Sequence, residues 1–172
     1  VLGMSLTGEF VAAFTAAPHL IEVMLESVSE FSDLGIRNLV AINGLRHLHL
    51  DLVPNPRLTS TGIRALVEAG LPPYFHLNTA LIDDEVLASL VTQGWLYQAN
   101  VAGKPPSATA VSVLSLSGAK ITDAGFDELL ACENTQHLLL ADCQITDKSL
   151  LKLAAFNHLK TVNLNGTKVH DR

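Results

Sequence analysis

The chain is poor in aromatic residues, in cysteine and methionine, and in charge. Aromatic side chains make up 5% of its 172 residues, with a single Trp, so aliphatic side chains must fill its core. Two cysteines, Cys132 and Cys143, cannot supply the disulfide framework on which small secreted domains depend. Both read as reduced residues packing as small hydrophobes. Lys and Arg number 11 against 17 acidic residues, the formal net charge is −6, and no basic cluster occurs. That balance argues against nucleic acid and anionic membrane surfaces as partners. No apolar run approaches the roughly 18 residues that a membrane-spanning helix needs. No basic region leads into an apolar core and a small-residue cleavage site, and a cytoplasmic location is expected. The chain opens on Val1, which reads as the start of an excised fragment.

Catalytic signatures are missing as well. The sequence has no G-x-S-x-G, P-loop, dinucleotide glycine fingerprint, H-E-x-x-H or C-x-x-C, each of which places reactive groups at a spacing its chemistry requires. The expectation is a protein that is not an enzyme and takes no cofactor.

What is present is a repeat. Val111, Thr135 and Leu159 stand at a constant step of 24 residues, as do Leu114, Leu138 and Val162, and Leu116, Leu140 and Leu164. Ile121, Ile145 and Val169 continue the register. A fixed period of this size marks stacked supersecondary units, none of which buries its apolar face alone. Slid backwards, the template fits Leu20, Val23 and Leu25, then Leu45, Leu48 and Leu50. It fits Pro72, Phe75 and Leu77 less well, and Leu96, Ala99 and Val101 weakly. Val1, Met4 and Leu6 read as the rump of a first unit, followed by a helix over Phe10 to Phe14.

Helix starts supply an independent check. Phe31, Leu58, Ile82, Ile121 and Ile145 are followed by Ser32, Thr59, Asp83, Thr122 and Thr146. These residue types accept a hydrogen bond from an orphaned amide of the first helical turn. An apolar stripe follows each cap: Ile36, Leu39, Val40; Ile63, Leu66, Val67; Leu87, Leu90, Val91; Phe126, Leu129, Leu130; Leu150, Leu151, Leu153. Spacing of i, i+3, i+4 is one face of a helix. Two stretches break the rule. D-L-V-P-N-P-R after Leu50 should bulge as a loop, and Gly103 to Thr109 reads as a loop or extended connection replacing a helix. The expected organisation is one domain over 1–172 with about seven to eight strand units, irregular at 92–110, a piece of a longer array.

The L-x-x-L-x-L core of these units resembles that of leucine-rich repeat proteins. The segments L-S-L-S-G-A-K-I-T-D-A-G-F and L-L-L-A-D-C-Q-I-T-D-K-S-L are similar to the cysteine-containing subtype of F-box-type adaptors and to related bacterial leucine-rich repeat proteins. Cys143 matches that subtype's turn cysteine, with Ala119 and Thr167 in its place in the neighbouring units. The resemblance implies an α/β leucine-rich repeat solenoid, a curved right-handed coil with parallel strands on the concave face and helices on the convex face. It implies a protein or peptide partner on the concave sheet. A narrower form of the same implication is the substrate-recognition arm of a ubiquitin ligase complex or a bacterial mimic of one, although no F-box segment lies in the chain.

Strand alternation selects the side chains that leave the sheet. In the N-terminal half these are Glu22, Met24 and Glu26, then His47, His49 and Asp51, then Tyr74, His76 and Asn78. Stacked on the leucine template, they form the rows Met24, His49, His76; Glu22, His47, Tyr74; and Glu26, Asp51, Asn78. The equivalent residues of the C-terminal half, among them Ser115, Ser117, Ala141 and Asn163, are small and neutral. Three readings of the N-terminal patch stand side by side: a solvated sheet surface, a partner-binding hot spot, and a metal or small-ligand site using His47, His49 and His76 with Asp51. Histidines in a binding surface would make binding vary between about pH 5.5 and 7.5. Oligomeric state is not legible. His19, His137, His158 and His170 read as ordinary surface or loop residues, and Trp95 as a packing residue.

Overall fold

The helices begin where the capping residues place them. The computed structural model describes residues 10–17, 19–25, 30–51, 56–70, 73–76, 79–96 and 113–170, and at 51 and 73–76 the backbone alone. In it α1 spans Asp33–Val40, α2 Ser60–Glu68, α3 Asp84–Thr92, α4 Asp123–Leu129 and α5 Asp147–Leu150. Their N-caps are Ser32, Thr59, Asp83, Thr122 and Thr146, all with extended backbone. Asp83 Oδ1 accepts from the Val86 amide at 3.0 Å, and the Thr122 and Thr146 hydroxyls accept from Ala124 and Lys148 at 3.2 and 3.3 Å. The helix expected at Phe10 is a 3-10 helix, Phe10–Ala16, in which Val11 is buried.

Between the helices run short strands: β1 Glu22–Leu25, β2 His47–Asp51, β3 Pro73–His76, β4 Val113–Ser115, β5 His137–Leu139 and β6 Thr161–Asn163. The chain divides into two units, Val1–Leu81 and Ile82–Arg172. The first carries a parallel sheet of order β1-β2-β3 and the second a parallel sheet of order β4-β5-β6. Parallel neighbours cannot be joined by a hairpin and need a crossover. Here α1, α2, α4 and α5 provide it between successive strands of a sheet. The class is α/β, built from repeated strand–helix units.

Alternation and helical spacing together define the core. Val23, Leu25, Leu48, Leu50, Leu114 and Leu138 are buried from the strands, and Leu116 and Leu140 just beyond them. Ile36, Leu39, Ile63, Leu66, Leu87, Leu90, Phe126 and Leu129 are buried from the helices. The i, i+3, i+4 stripe holds in α2, where Val67 is buried, and is narrower in the other helices. Val40 is exposed, Val91 and Leu130 are half-buried, and Leu151 is 84% exposed. The reason at Leu151 is local: α5 stops at Leu150, and a 3-10 turn over Leu153–Ala155 follows. The buried position that widens the stripe lies instead at the third helical residue, where Gly35, Gly62, Val86, Gly125 and Ser149 stand.

Three of these, Gly62, Gly125 and Ser149, make room for a carboxylate from the preceding repeat. The first residue of α1, Asp33, accepts the Thr59 amide on Oδ1 at 2.8 Å and the Thr59 hydroxyl on Oδ2 at 2.6 Å. Asp84 of α3 does the same to Thr122, at 2.8 and 2.5 Å. Asp123 of α4 does it to Thr146, at 2.8 and 2.6 Å, and Asp147 of α5 accepts the His170 amide at 2.8 Å. Asp33, Asp84 and Asp123 therefore each sit at one helix N-terminus, where a negative charge is favoured, and fasten the cap of the next described helix. A Cβ at Gly62 would collide with Asp33 Oδ1, and one at Gly125 with Asp84 Oδ1. Ser149 fits because its hydroxyl donates to Asp123 Oδ1 at 2.6 Å. Burial alone would raise the Asp123 carboxyl, but the hydrogen bonds from Ser149 and Thr146, with Lys148 nearby, hold it at about 2 against an ordinary 3.8. This clamp puts α3 and α4 side by side. Past Leu96, the strand expected at Ala99 and Val101 and the loop Gly103–Thr109 lie outside the described residues, as does the insertion at 52–55.

The strand-to-helix turn of the second unit is also repeated. Gly118, Asp142 and Gly166 share a positive φ, the conformation that residues with a side chain rarely take. One residue on, Cys143 donates its Sγ hydrogen to the Leu116 carbonyl at 3.2 Å. Burial, with the charge of Asp142 adding and the Ala119 backbone opposing, pushes this thiol up to about 11. Burial alone takes Cys132 to about 11. Both cysteines are free and buried, packing as the small hydrophobes expected.

Candidate interaction surface

Each strand of the first unit turns alternate residues away from the core. On β1 the pattern is exposed Glu22, buried Val23, exposed Met24, buried Leu25. On β2, His47 is exposed and His49 half-buried, while Leu48 and Leu50 are buried. The outward residues of these two strands thus share one face, and β1 pairs with β2 in the expected register: Glu22 opposite His47 and Met24 opposite His49. Met24 is 61% exposed, a large apolar surface in the middle of polar neighbours.

The third strand is offset from expectation. β2 pairs with β3 so that Leu48 faces Pro73, His49 faces Tyr74, Leu50 faces Phe75 and Asp51 faces His76. The expected row Met24, His49, His76 is therefore Met24, His49, Tyr74, and His76 moves to the level of Asp51. Matching leucines misplaced the strand, because Leu77 was put in the slot that Phe75 fills by pairing with Leu50. The shift is two residues. Side chains alternate with period two, so the expected face survives and only the rows slide.

Three levels result, each two residues further along the strands and so about 6.6 Å apart. The first holds Glu22 and His47, the second Met24, His49 and Tyr74, the third Asp51 and His76. Glu26 and Asn78 lie outside the described residues. His47, His49 and His76 stand one on each level instead of gathering on one. Among the described residues no three metal-capable side chains come together; the side chain of His76 is outside that set.

The equivalent face of the second unit is different in chemistry. Val113, His137 and Thr161 form one level and Ser115, Leu139 and Asn163 the next. His137, read from sequence as an ordinary surface residue, lies on β5 with its Nδ1 at 3.1 Å from the Thr161 hydroxyl. No carboxylate occupies either level.

The sequence reading missed the aspartate clamp. Thr122-Asp123 and Thr146-Asp147 recur in the repeat, but the helix cap accounts for the Thr alone. The signal that could have found the Asp is a Gly or Ser at the third residue of the next helix, Gly62 for Asp33, Gly125 for Asp84 and Ser149 for Asp123.

Comparison with known families gives a match of residues 135–154 to the family model described as Leucine Rich repeat. These residues contain β5 and α5, and the match supports reading the chain as a leucine-rich repeat protein. No curated protein matches the chain. Among the described residues no helix is long and apolar enough to cross a membrane.

Proposed function

We propose that the chain is a protein–protein interaction module, a leucine-rich repeat solenoid whose strands line a concave face that holds a protein or peptide, with no catalysis of its own. Leucine-rich repeat domains commonly mediate protein–protein interaction, and the repeat match brings that expectation here. The observation that carries the choice of surface is the contrast between the two sheets. The first presents exposed Met24 among Glu22, His47 and His49, a mixture of apolar area and directional polar groups of the kind that binding surfaces concentrate. Two unpaired, buried cysteines suit a cytoplasmic setting.

The test is affinity capture from a source lysate with the wild type and with a His47→Ala/His49→Ala/His76→Ala variant. The variant should lose a partner that the wild type retains. Capture of the same proteins by both would remove this sheet as the site. The Cys143 thiol bonded into the turn favours the cysteine-containing subtype, and with it the narrower reading of a substrate-recognition arm. An F-box segment encoded upstream in the same gene would support that reading, and a different attached domain would end it.

A further inference from the structure

Asparagine followed by glycine occurs twice in the chain, at Asn43-Gly44 and at Asn165-Gly166. Glycine has no side chain to shield its amide nitrogen from the side-chain carbonyl of the residue before it. Ile42 and Leu164 precede the two pairs, so the local sequence makes them alike. Both asparagines are exposed, and Gly44 and Gly166 both have a positive φ, 91° and 71°. Hydrogen bonding separates them. The Asn165 carbonyl accepts the Asp142 amide at 2.8 Å, and the Asn165 amide donates to Asn163 Oδ1 at 3.0 Å. A carbonyl oxygen and the nitrogen after it share one rigid plane, so the bond from Asp142 also holds the Gly166 nitrogen. A Cβ at Gly166 would collide with Asp142 Oδ1, which places a carboxylate against that glycine. The turn at Asn43 is closed only around the pair, by the Leu45 amide donating to the Ile42 carbonyl at 3.3 Å. Among the described residues neither the Asn43 carbonyl nor the Gly44 amide has a hydrogen-bond partner. A Cβ at Gly44 would meet nothing within 4 Å, so the space beside it is open.

We propose that Asn43 is a site of spontaneous hydrolytic modification, converted to aspartate and isoaspartate, and that the fold protects Asn165 from the same reaction. The Gly44 nitrogen gives up its proton to solvent and attacks Asn43 Cγ. The N–Cγ bond forms, the Cγ–Nδ2 bond breaks, and the side-chain nitrogen leaves as ammonia. A water molecule then opens the cyclic imide. Attack at Cγ gives aspartate. Attack at the backbone carbonyl carbon gives isoaspartate, in which the chain runs through the former side chain. At Asn165 the peptide plane that must turn is fastened, and the charge of Asp142 opposes loss of the proton from the Gly166 nitrogen.

The position gives the reaction an effect. Asn43 follows closely on α1, which ends at Val40, and a new carboxylate there meets the negative end of the helix, where anions are disfavoured. Isoaspartate also lengthens the backbone between Ile42 and Leu45, both buried. That connection leads directly into β2 and its outward His47 and His49. Conversion therefore disturbs the approach to the first sheet, and the inference does not depend on that sheet's binding a partner.

The test is a timed incubation of the full chain at mildly alkaline pH, native and unfolded in guanidinium, followed by proteolysis and mass spectrometry of the peptides that hold the two pairs. In the native chain conversion at Asn43 should outrun that at Asn165 about tenfold, the rate equivalent of the hydrogen bonds that must open at Asn165. In guanidinium the two rates should come together, with Asn165 gaining most. Asn43→Gln should abolish conversion at that position and leave the rate at Asn165 unchanged. Native conversion at Asn165 as fast as at Asn43, or a difference that persists undiminished in guanidinium, would overturn the proposal. So would a native chain in which Asn43 stays as intact as Asn165 while the unfolded chain is converted.

Discussion

Asp123→Ala should be among the more damaging single changes to the second unit. The carboxylate accepts three hydrogen bonds, from the Thr146 amide, the Thr146 hydroxyl and the Ser149 hydroxyl. Ser149 is fully buried, so its hydroxyl would be left without an acceptor. Losing charge-assisted bonds and stranding a buried donor together cost about 2–3 kcal/mol. For a chain of this length that lowers the melting temperature by roughly 5–10 °C. Urea denaturation at neutral pH measures it directly. Because the folded carboxyl titrates at about 2 and not 3.8, its contribution is complete above the ordinary value and disappears as pH falls through about 2. Undiscounted, that difference corresponds to roughly 2.5 kcal/mol, and solvent access to the site reduces it to about 1 kcal/mol. The gap in stability between wild type and Asp123→Asn should therefore close between about pH 4 and pH 2. A double-mutant cycle with Ser149→Ala should show a coupling of about 1 kcal/mol. An Asp123→Ala variant within about 0.5 kcal/mol of wild type, or one whose effect adds independently to that of Ser149→Ala, would refute the clamp as a source of stability.

Three further outcomes are expected. Thr135 is fully buried and its hydroxyl has no hydrogen-bond partner, so Thr135→Val should stabilise by about 1 kcal/mol in the same denaturation assay; a loss of stability would show that the hydroxyl is bonded to buried water. Gly125→Ala should destabilise by about 1–3 kcal/mol. Its new methyl would collide with Asp84 Oδ1, which two hydrogen bonds to Thr122 hold in place, and this outweighs the roughly 1 kcal/mol that alanine gains in a helix. Cys132 and Cys143, both raised to about 11, should react with a thiol reagent at about pH 8 some hundredfold more slowly in the native protein than in denaturant; fast native labelling of both would contradict their burial.

The chain by itself determined where strands and helices fall and which strand residues point inward. A leucine column at a step of 24 residues and a Ser, Thr or Asp before each helix are local signals. They depend on backbone conformation and on the one-dimensional pattern of apolar residues, so Val23, Leu48, Leu114 and Leu138 were legible as core and Glu22, Met24, His47 and His49 as outward. Which outward residues become neighbours was legible between β1 and β2 but not between β2 and β3. Opposite Leu48 and Leu50 the template put Phe75 and Leu77, and only pairing between β2 and β3 selected Pro73 and Phe75 instead. That choice moved His76 beside Asp51 and put Tyr74 in line with Met24 and His49. The aspartate clamp was hidden for the same reason. Its partners lie 23 to 38 residues apart, and the requirement for a small residue in the next helix follows from how close two packed helices come. Secondary structure and facing are set within a unit, whereas register and clamp depend on contacts between units, which exist only once the repeats are stacked.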